Sequence, residues 1–313
     1  MAMRRGLWVG LAVVVLLLLA AYVAAGWFFS GIAIAPQTQT LEDMQARTGN
    51  PADYGLPEPE EIAINTGEIT LSGWYFDNPA DANCGVMFMH GFTGSRYEAL
   101  YWAPLFWSRG CDVLAYDHRG HGDSSPAFHT YGFYEKQDAL VALEWFGERA
   151  GLEQSQIGVF GVSYGAATAL QLAPLAPNLA FVAADSAYSE MEEIVGYQAR
   201  QMFPTLAPLL LPGALAIAEW RADFDVQAVA PERSVADAQM PILLIHSLTD
   251  EYTFSTHSED IYANSDPSRT VLHLNDCGAP HARDILTDYA AYRQLVNDFL
   301  AQFAPEFGRP PTS

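Results

Sequence analysis

The chain has 313 residues, and its 15 lysines and arginines face 37 aspartates and glutamates, a formal net charge of −22. Half of it is hydrophobic and 12% aromatic, which excludes a disordered chain and predicts a packed core. The acidity excludes a nucleic-acid binder, because phosphate neutralisation needs clustered basic side chains and Lys136 is the only lysine. Cys84, Cys111 and Cys277 are too few and too scattered for a disulfide framework, and without CxxC spacing they predict no zinc site.

The N-terminus reads as a separate object. Residues 6–29 run for 24 positions without a charge behind Arg4-Arg5. As a helix this run reaches roughly 36 Å, enough to cross a hydrocarbon core of roughly 30 Å. The next basic residue is Arg47, so the positive-inside rule predicts a cytoplasmic N-terminus and an exported remainder. A cleaved secretory signal, cut near Ala24-Ala25, is the rival reading, and the apolar run continuing through Trp27-Phe28-Phe29 favours the uncleaved anchor. Residues 1–35 are thus an anchor or signal peptide, and 36–60, rich in Pro, Gln, Thr and Asp, read as a tether.

From residue 61 short apolar runs alternate with helical stretches. An opening hairpin is predicted at 62–64 and 69–76, then strands at 86–89, 111–116, 157–160, 181–184, 242–245 and 270–274. Most are continuous rather than alternating, as in strands covered on both faces. Helices are predicted at 135–149, 166–172 and 282–303. This alternation predicts an α/β fold with a doubly wound, mainly parallel sheet over 61–305. Residues 187–239 break the rhythm. The apolar segment 204–220, interrupted by Pro204, Pro208, Pro212 and Gly213, predicts a small helical cap over the sheet, or simply core. Residues 306–313 form a tail.

Gly161-Val162-Ser163-Tyr164-Gly165 follows a predicted strand and opens a predicted helix, the setting of a nucleophile elbow. Small residues on either side avoid clashes in the sharp turn. The helix N-terminus beneath Ser163 favours developing negative charge. His90-Gly91-Phe92-Thr93-Gly94 ends an earlier strand, so the backbone N–H groups of Phe92 and Tyr164 are candidates for an oxyanion hole, with His90 pinning the loop. A base and an orienting acid belong at later strand ends. Asp250 follows the strand at 242–245 and His281 the one at 270–274. Asp185 is the rival acid, while His257 and His273 are weaker bases, one expected on a helix and one inside a strand. Asp117-His118-Arg119-Gly120-His121-Gly122-Asp123-Ser124 holds potential metal ligands in His118, His121 and Asp123. Its glycines fit a tight loop better, with Asp117 and Arg119 bonding backbone and each other, so neither metal nor cofactor is expected.

These motifs, in this order, resemble the α/β-hydrolase superfamily, in particular its bacterial members with a membrane-anchored or secreted domain. His90-Gly91, the 117–124 loop, Gly161–Gly165, Ile245-His246-Ser247-Leu248-Thr249-Asp250 and His281 carry the resemblance. It implies the fold, a Ser163–His281–Asp250 triad and a serine esterase or lipase-like activity on a hydrophobic ester. Ser247 stands where the superfamily's loop usually has glycine. The first loop also lacks the glycine run of many lipases, and Ser163 argues against the carboxylate nucleophile of haloalkane dehalogenases. A serine peptidase or an acyltransferase uses the same triad, and a non-catalytic binding module could keep the fold.

Overall fold

The computed structural model describes residues 2–80 and 82–308, so the end of the expected tail, 309–313, lies outside the described residues. Among the described residues eight strands form one sheet: β1 (Glu60–Asn65), β2 (Thr70–Phe76), β3 (Gly85–Met89), β4 (Asp112–Tyr116), β5 (Ile157–Val162), β6 (Phe181–Asp185), β7 (Ile242–Ser247) and β8 (Thr270–Asn275). Their order is β1-β2-β4-β3-β5-β6-β7-β8. The β1–β2 hairpin and the β2–β4 pair are antiparallel, and every pairing from β4 to β8 is parallel.

Continuous apolar runs become central strands because helices cover both faces. Helices Glu135–Ala150 and Tyr164–Leu172 pack Leu143, Phe146, Ala166 and Leu170 on one side. Helices Ala103–Trp107 and Tyr289–Phe303 pack Phe106, Tyr292 and Phe299 on the other. Strand β5 is buried along its whole length. From β3 the chain first adds β4 on one side and then crosses to β5 on the other. The crevice above β3 and β5 is therefore the sheet's switch point, where open α/β folds hold ligands.

Four expectations are corrected by packing. The 36–60 segment is no free tether: helix Leu41–Thr48 buries Met44, and Pro51 and Leu56 are also covered. The terminal helix does not run unbroken from 282, because Asp288 separates a short turn, Asp284–Thr287, from Tyr289–Phe303 and caps the latter by accepting the Ala291 N–H. In the cap, Pro212 and Gly213 do not interrupt the helix Ala207–Ala222, which follows Met191–Met202. Finally, Cys84 and Cys111 form a disulfide. Parallel register pairs Gly85 with Asp112, so the residues just before these strands sit side by side although 27 positions apart.

The helix Ala2–Ile34 contains an apolar stretch, Gly6–Ile34, long enough to cross a bilayer. Most of that stretch is exposed, but its last turns lie against the cap helix Ala207–Ala222, where Trp27 meets Trp220.

Candidate active site

Strand β5 ends at Val162, and the next residue, Ser163, has φ 53° and ψ −112° before the helix Tyr164–Leu172 begins. A positive φ is costly for a residue with a side chain, on the order of 1–3 kcal/mol, and is held here by its surroundings. The Ser163 N–H donates to the Asp185 carbonyl on neighbouring β6 at 2.7 Å. The turn is also too tight for side chains at its glycines: a Cβ on Gly161 would lie 2.3 Å from the Gly165 carbonyl oxygen, and one on Gly165 would lie 2.1 Å from that of Met89.

Ser163, His281 and Asp250 lie in one hydrogen-bonded chain. The Ser163 hydroxyl donates to His281 Nε2 at 2.8 Å, and His281 Nδ1–H donates to Asp250 Oδ2 at 2.6 Å. Asp250 Oδ1 accepts the N–H groups of Tyr252 and Thr253. His246, fully buried on β7, donates from Nε2 to the Thr253 carbonyl and sits 3.3 Å from Asp250 Oδ2, while Ser258 donates to its Nδ1. Burial of Asp250 would push its carboxyl up, but hydrogen bonds from His246, His281 and the Thr253 N–H outweigh it and hold the group well below the ordinary range. Asp250 therefore stays ionised and faces the imidazole with a fixed negative charge.

The rival acid is committed elsewhere. Asp185 accepts the Tyr292 hydroxyl at 2.7 Å and that of Ser186 at 2.8 Å, with burial raising its pKa. His257 bonds Ser189, and His273 lies within β8.

The loop after β3 meets Ser163 from the other side of the crevice. Burial holds His90 well below its usual titration range. Its Nδ1–H donates to the Gly91 carbonyl, and its Nε2 accepts the His118 N–H, so this neutral ring fixes the loop. The Gly91 N–H is taken by Glu98, that of Thr93 by His121 Nε2 and that of Gly94 by the Gly91 carbonyl. Among the described residues no partner falls to the Phe92 N–H, and the Tyr164 N–H belongs to a helix's first turn, where backbone donors are free.

Metal-like residues in the 117–124 loop are engaged in structure. Asp117 pairs with Arg96 and Arg119 with Asp138, not with each other as the sequence suggested, and Asp123 also meets Arg96. His121 stacks on His129, and His118 is enclosed without a hydrogen-bond partner on its ring. Among the described residues no cluster of metal-ligating side chains forms.

Several supports had no local sequence signal. Arg47, in the segment expected to be a tether, pairs with Glu98, and Gln39 N–H donates to the Thr93 carbonyl, so this segment braces the Phe92 loop. Ser247 uses the hydroxyl that glycine would lack: it donates to the Ala279 carbonyl at 2.6 Å, beside Thr249, which donates to the same oxygen at 2.8 Å. Tyr252 packs against the His281 ring.

Two cavities meet at Ser163 and Phe92. One, about 260 Å³, is bounded by Tyr188, Ile194, Leu215 and other apolar side chains of the base and cap, and by Phe29 and Ile32 of the N-terminal helix. The other, about 300 Å³, contains His281 and more polar walls, including Thr93, Glu98 and Arg283.

Known proteins carry the same architecture. A family model described as alpha/beta hydrolase fold matches residues 86–208. The Bacillus subtilis (strain 168) protein YqkD is 29% identical over 292 residues, covering 90% of this chain and 94% of that one. Among solved structures, the Pyrococcus furiosus esterase Pf2001 superposes with a TM-score of 0.65 at 25% identity, over 81% of this chain and 95% of that chain. A Pyrococcus horikoshii acylaminoacyl peptidase superposes at 0.62 with 17% identity, over 84% of this chain and 44% of its own. The chain is an α/β-hydrolase-fold protein.

Proposed function

We propose that the protein is a serine hydrolase that cleaves carboxylic esters through an acyl-enzyme on Ser163. The observation that carries this reading is the Ser163–His281–Asp250 hydrogen-bonded chain at the junction of the two cavities. Similarity to an esterase supports it. His281 takes the hydroxyl proton as Ser163 Oγ attacks the acyl carbon, and Asp250 steadies the imidazolium that forms. The Phe92 and Tyr164 N–H groups receive the oxyanion, where one such donor is worth roughly a hundred- to a thousandfold in rate. His281 then passes the proton to the leaving alcohol, and water repeats the cycle to release the acid. The leaving oxygen must lie on the His281 side. That assigns the alcohol to the more polar cavity and the acyl chain to the apolar one.

The same reading anchors the catalytic domain to a membrane through residues 6–29, on the extracytoplasmic side. Arg4-Arg5 ahead of the apolar run and the Cys84–Cys111 bridge support this, since disulfides persist in oxidising compartments.

In the test, Ser163→Ala and His281→Ala reduce p-nitrophenyl butyrate hydrolysis to background, while His273→Ala retains it. A fluorophosphonate probe labels the wild type and not Ser163→Ala. Full ester turnover by Ser163→Ala overturns the assignment, and faster cleavage of blocked peptides than of esters overturns the substrate class.

A further inference from the structure

The N-terminal helix does more than precede the domain: it walls the cavity assigned to the acyl chain. Phe29 and Ile32 line that space, and Phe29 meets Phe203 of the cap at 4.9 Å between ring centres. The helix runs parallel to the cap helix Ala207–Ala222. Tyr22 donates to the Leu209 carbonyl, a Cβ on Gly26 would meet Ile217, Trp27 faces Trp220 at 6.0 Å, and Arg221 donates to the Trp27 carbonyl and Ser30 hydroxyl. Advancing along one helix advances along the other.

That register fixes the depth of the cap. A hydrocarbon core of roughly 30 Å takes about 20 helical residues, so a span starting at Gly6 ends near Ala25. The Trp27–Trp220 pair then falls at the headgroup level, where tryptophan collects, with Arg221 on its watery side. Leu209 meets Tyr22, three residues before that boundary, so this part of the cap lies at least roughly 4–5 Å into the hydrocarbon, near the depth reached by interfacial helices. Leu209 is 65% exposed and Trp220 75%, which is costly facing water and favourable facing lipid. Met202 and Leu206, about half exposed, belong both to this face and to the cavity lining.

We propose that the anchor helix and the cap together form a portal dipped into the bilayer, through which the acyl chain of a membrane lipid ester enters the cavity and reaches Ser163 without crossing water. The inference rests on the ester-cleaving, membrane-anchored reading above and names its substrate class. A cavity of roughly 150 Å³ already admits benzene, so about 260 Å³ accepts a chain far longer than acetyl. The net charge of −22 opposes anionic headgroups at long range and favours uncharged or zwitterionic lipids.

The test uses the full chain in phosphatidylcholine nanodiscs with p-nitrophenyl acetate and p-nitrophenyl palmitate. Filling the cavity with Ile32→Trp is expected to lower the palmitate-to-acetate ratio of kcat/KM by about ten-fold or more. Ile32→Ala, which enlarges the cavity, keeps or raises it. A nitroxide on Leu209→Cys is expected to be relaxed more by dissolved oxygen than by a water-soluble nickel chelate. An unchanged ratio in Ile32→Trp, or a Leu209 label relaxed chiefly by nickel, overturns the portal while leaving the esterase standing. Failure of the wild type to cleave either ester overturns the esterase reading itself.

Discussion

Ser247 offers a quantitative test of how the acid and base loops are held together. Its hydroxyl and that of Thr249 both donate to the carbonyl of Ala279, two residues before His281, and Ser247 and Ala279 are fully buried. Ser247→Ala removes one donor but leaves the carbonyl served by Thr249; it also removes the acceptor of the Thr249 N–H, so the loss is that of two neutral hydrogen bonds, about 1–2 kcal/mol. Thr249→Val, nearly the same shape, loses only its bond to the carbonyl and is expected to cost about 1 kcal/mol. Removing both leaves a buried carbonyl with no donor, a penalty of roughly 1–3 kcal/mol for the desolvated group. The two changes therefore do not add, and the coupling is about 1–2 kcal/mol. At roughly 2–4 °C per kcal/mol, the double variant melts about 2–8 °C below the value expected from the sum of the singles. The same cycle is read in activity well below the melting point. A shift of 1 Å at a reacting group costs about a hundredfold, so the double variant loses at least about ten-fold in kcat/KM while each single loses less. Thermal unfolding of the full chain in detergent and p-nitrophenyl butyrate kinetics give both readouts. Additive melting shifts with unaltered kcat/KM would refute the claim that this shared carbonyl positions His281.

Two further outcomes separate the carboxylates. Asp250→Asn is expected to lower kcat on the order of 10⁴-fold through loss of the His281 tautomer, whereas Asp185→Asn leaves the His281 contact intact and costs less than ten-fold. The lowered Asp250 pKa also sets a sign for stability. An unfolded carboxyl titrates near about 3.9, so the ionised group stabilises the fold above that value and the benefit disappears as pH falls through the lower folded value. Melting curves of wild type and Asp250→Asn, apart by a steady gap down to about pH 4, are expected to converge as pH drops below that value; a gap that stays constant as pH is taken well below about 4 contradicts it. Tyr292→Phe strips one of the two side-chain donors from buried Asp185 and the acceptor from the Trp102 indole. It is expected to cost roughly 1.5–3 kcal/mol in unfolding free energy with little change in kcat, and an unchanged melting temperature contradicts it.

The sheet was legible because buried parallel strands must be apolar at every position, a pattern that 157–160 and 242–245 display without help from neighbours. Ser163 was legible because a sharp strand-to-helix turn needs small residues at Gly161 and Gly165. Long-range choices were not. Arg96 and Asp138 take the partners that local reading had paired with each other, since charge alone does not say which carboxylate faces which guanidinium. The Cys84–Cys111 bridge depends on two strands being neighbours in the sheet. The order of residues 36–60 depends on a surface for Met44 and an acid for Arg47, both supplied by the folded domain. Pro212 reads as a break in sequence, yet the helix continues where Tyr22 packs over Gly213.

Strain and burial are distributed unevenly, and the division has a physical logic. Thr93, Ser163, Ser186 and Ala282 all have φ between 52° and 60° without being glycine, and they follow β3, β5, β6 and β8 respectively. Each costs on the order of 1–3 kcal/mol. Beneath them β3 and β5 are buried residue by residue, so the strands hold their ends rigidly enough to offset that cost. The benefit is directional. At Ser163 the unusual φ lifts the hydroxyl out of the sheet, and at Ala282 it turns the chain directly behind His281. Two side chains 118 positions apart thereby meet at 2.8 Å. A softer scaffold would relax these turns before it brought the imidazole to the hydroxyl, so the deeply apolar core is a requirement of the proposed chemistry as much as of stability.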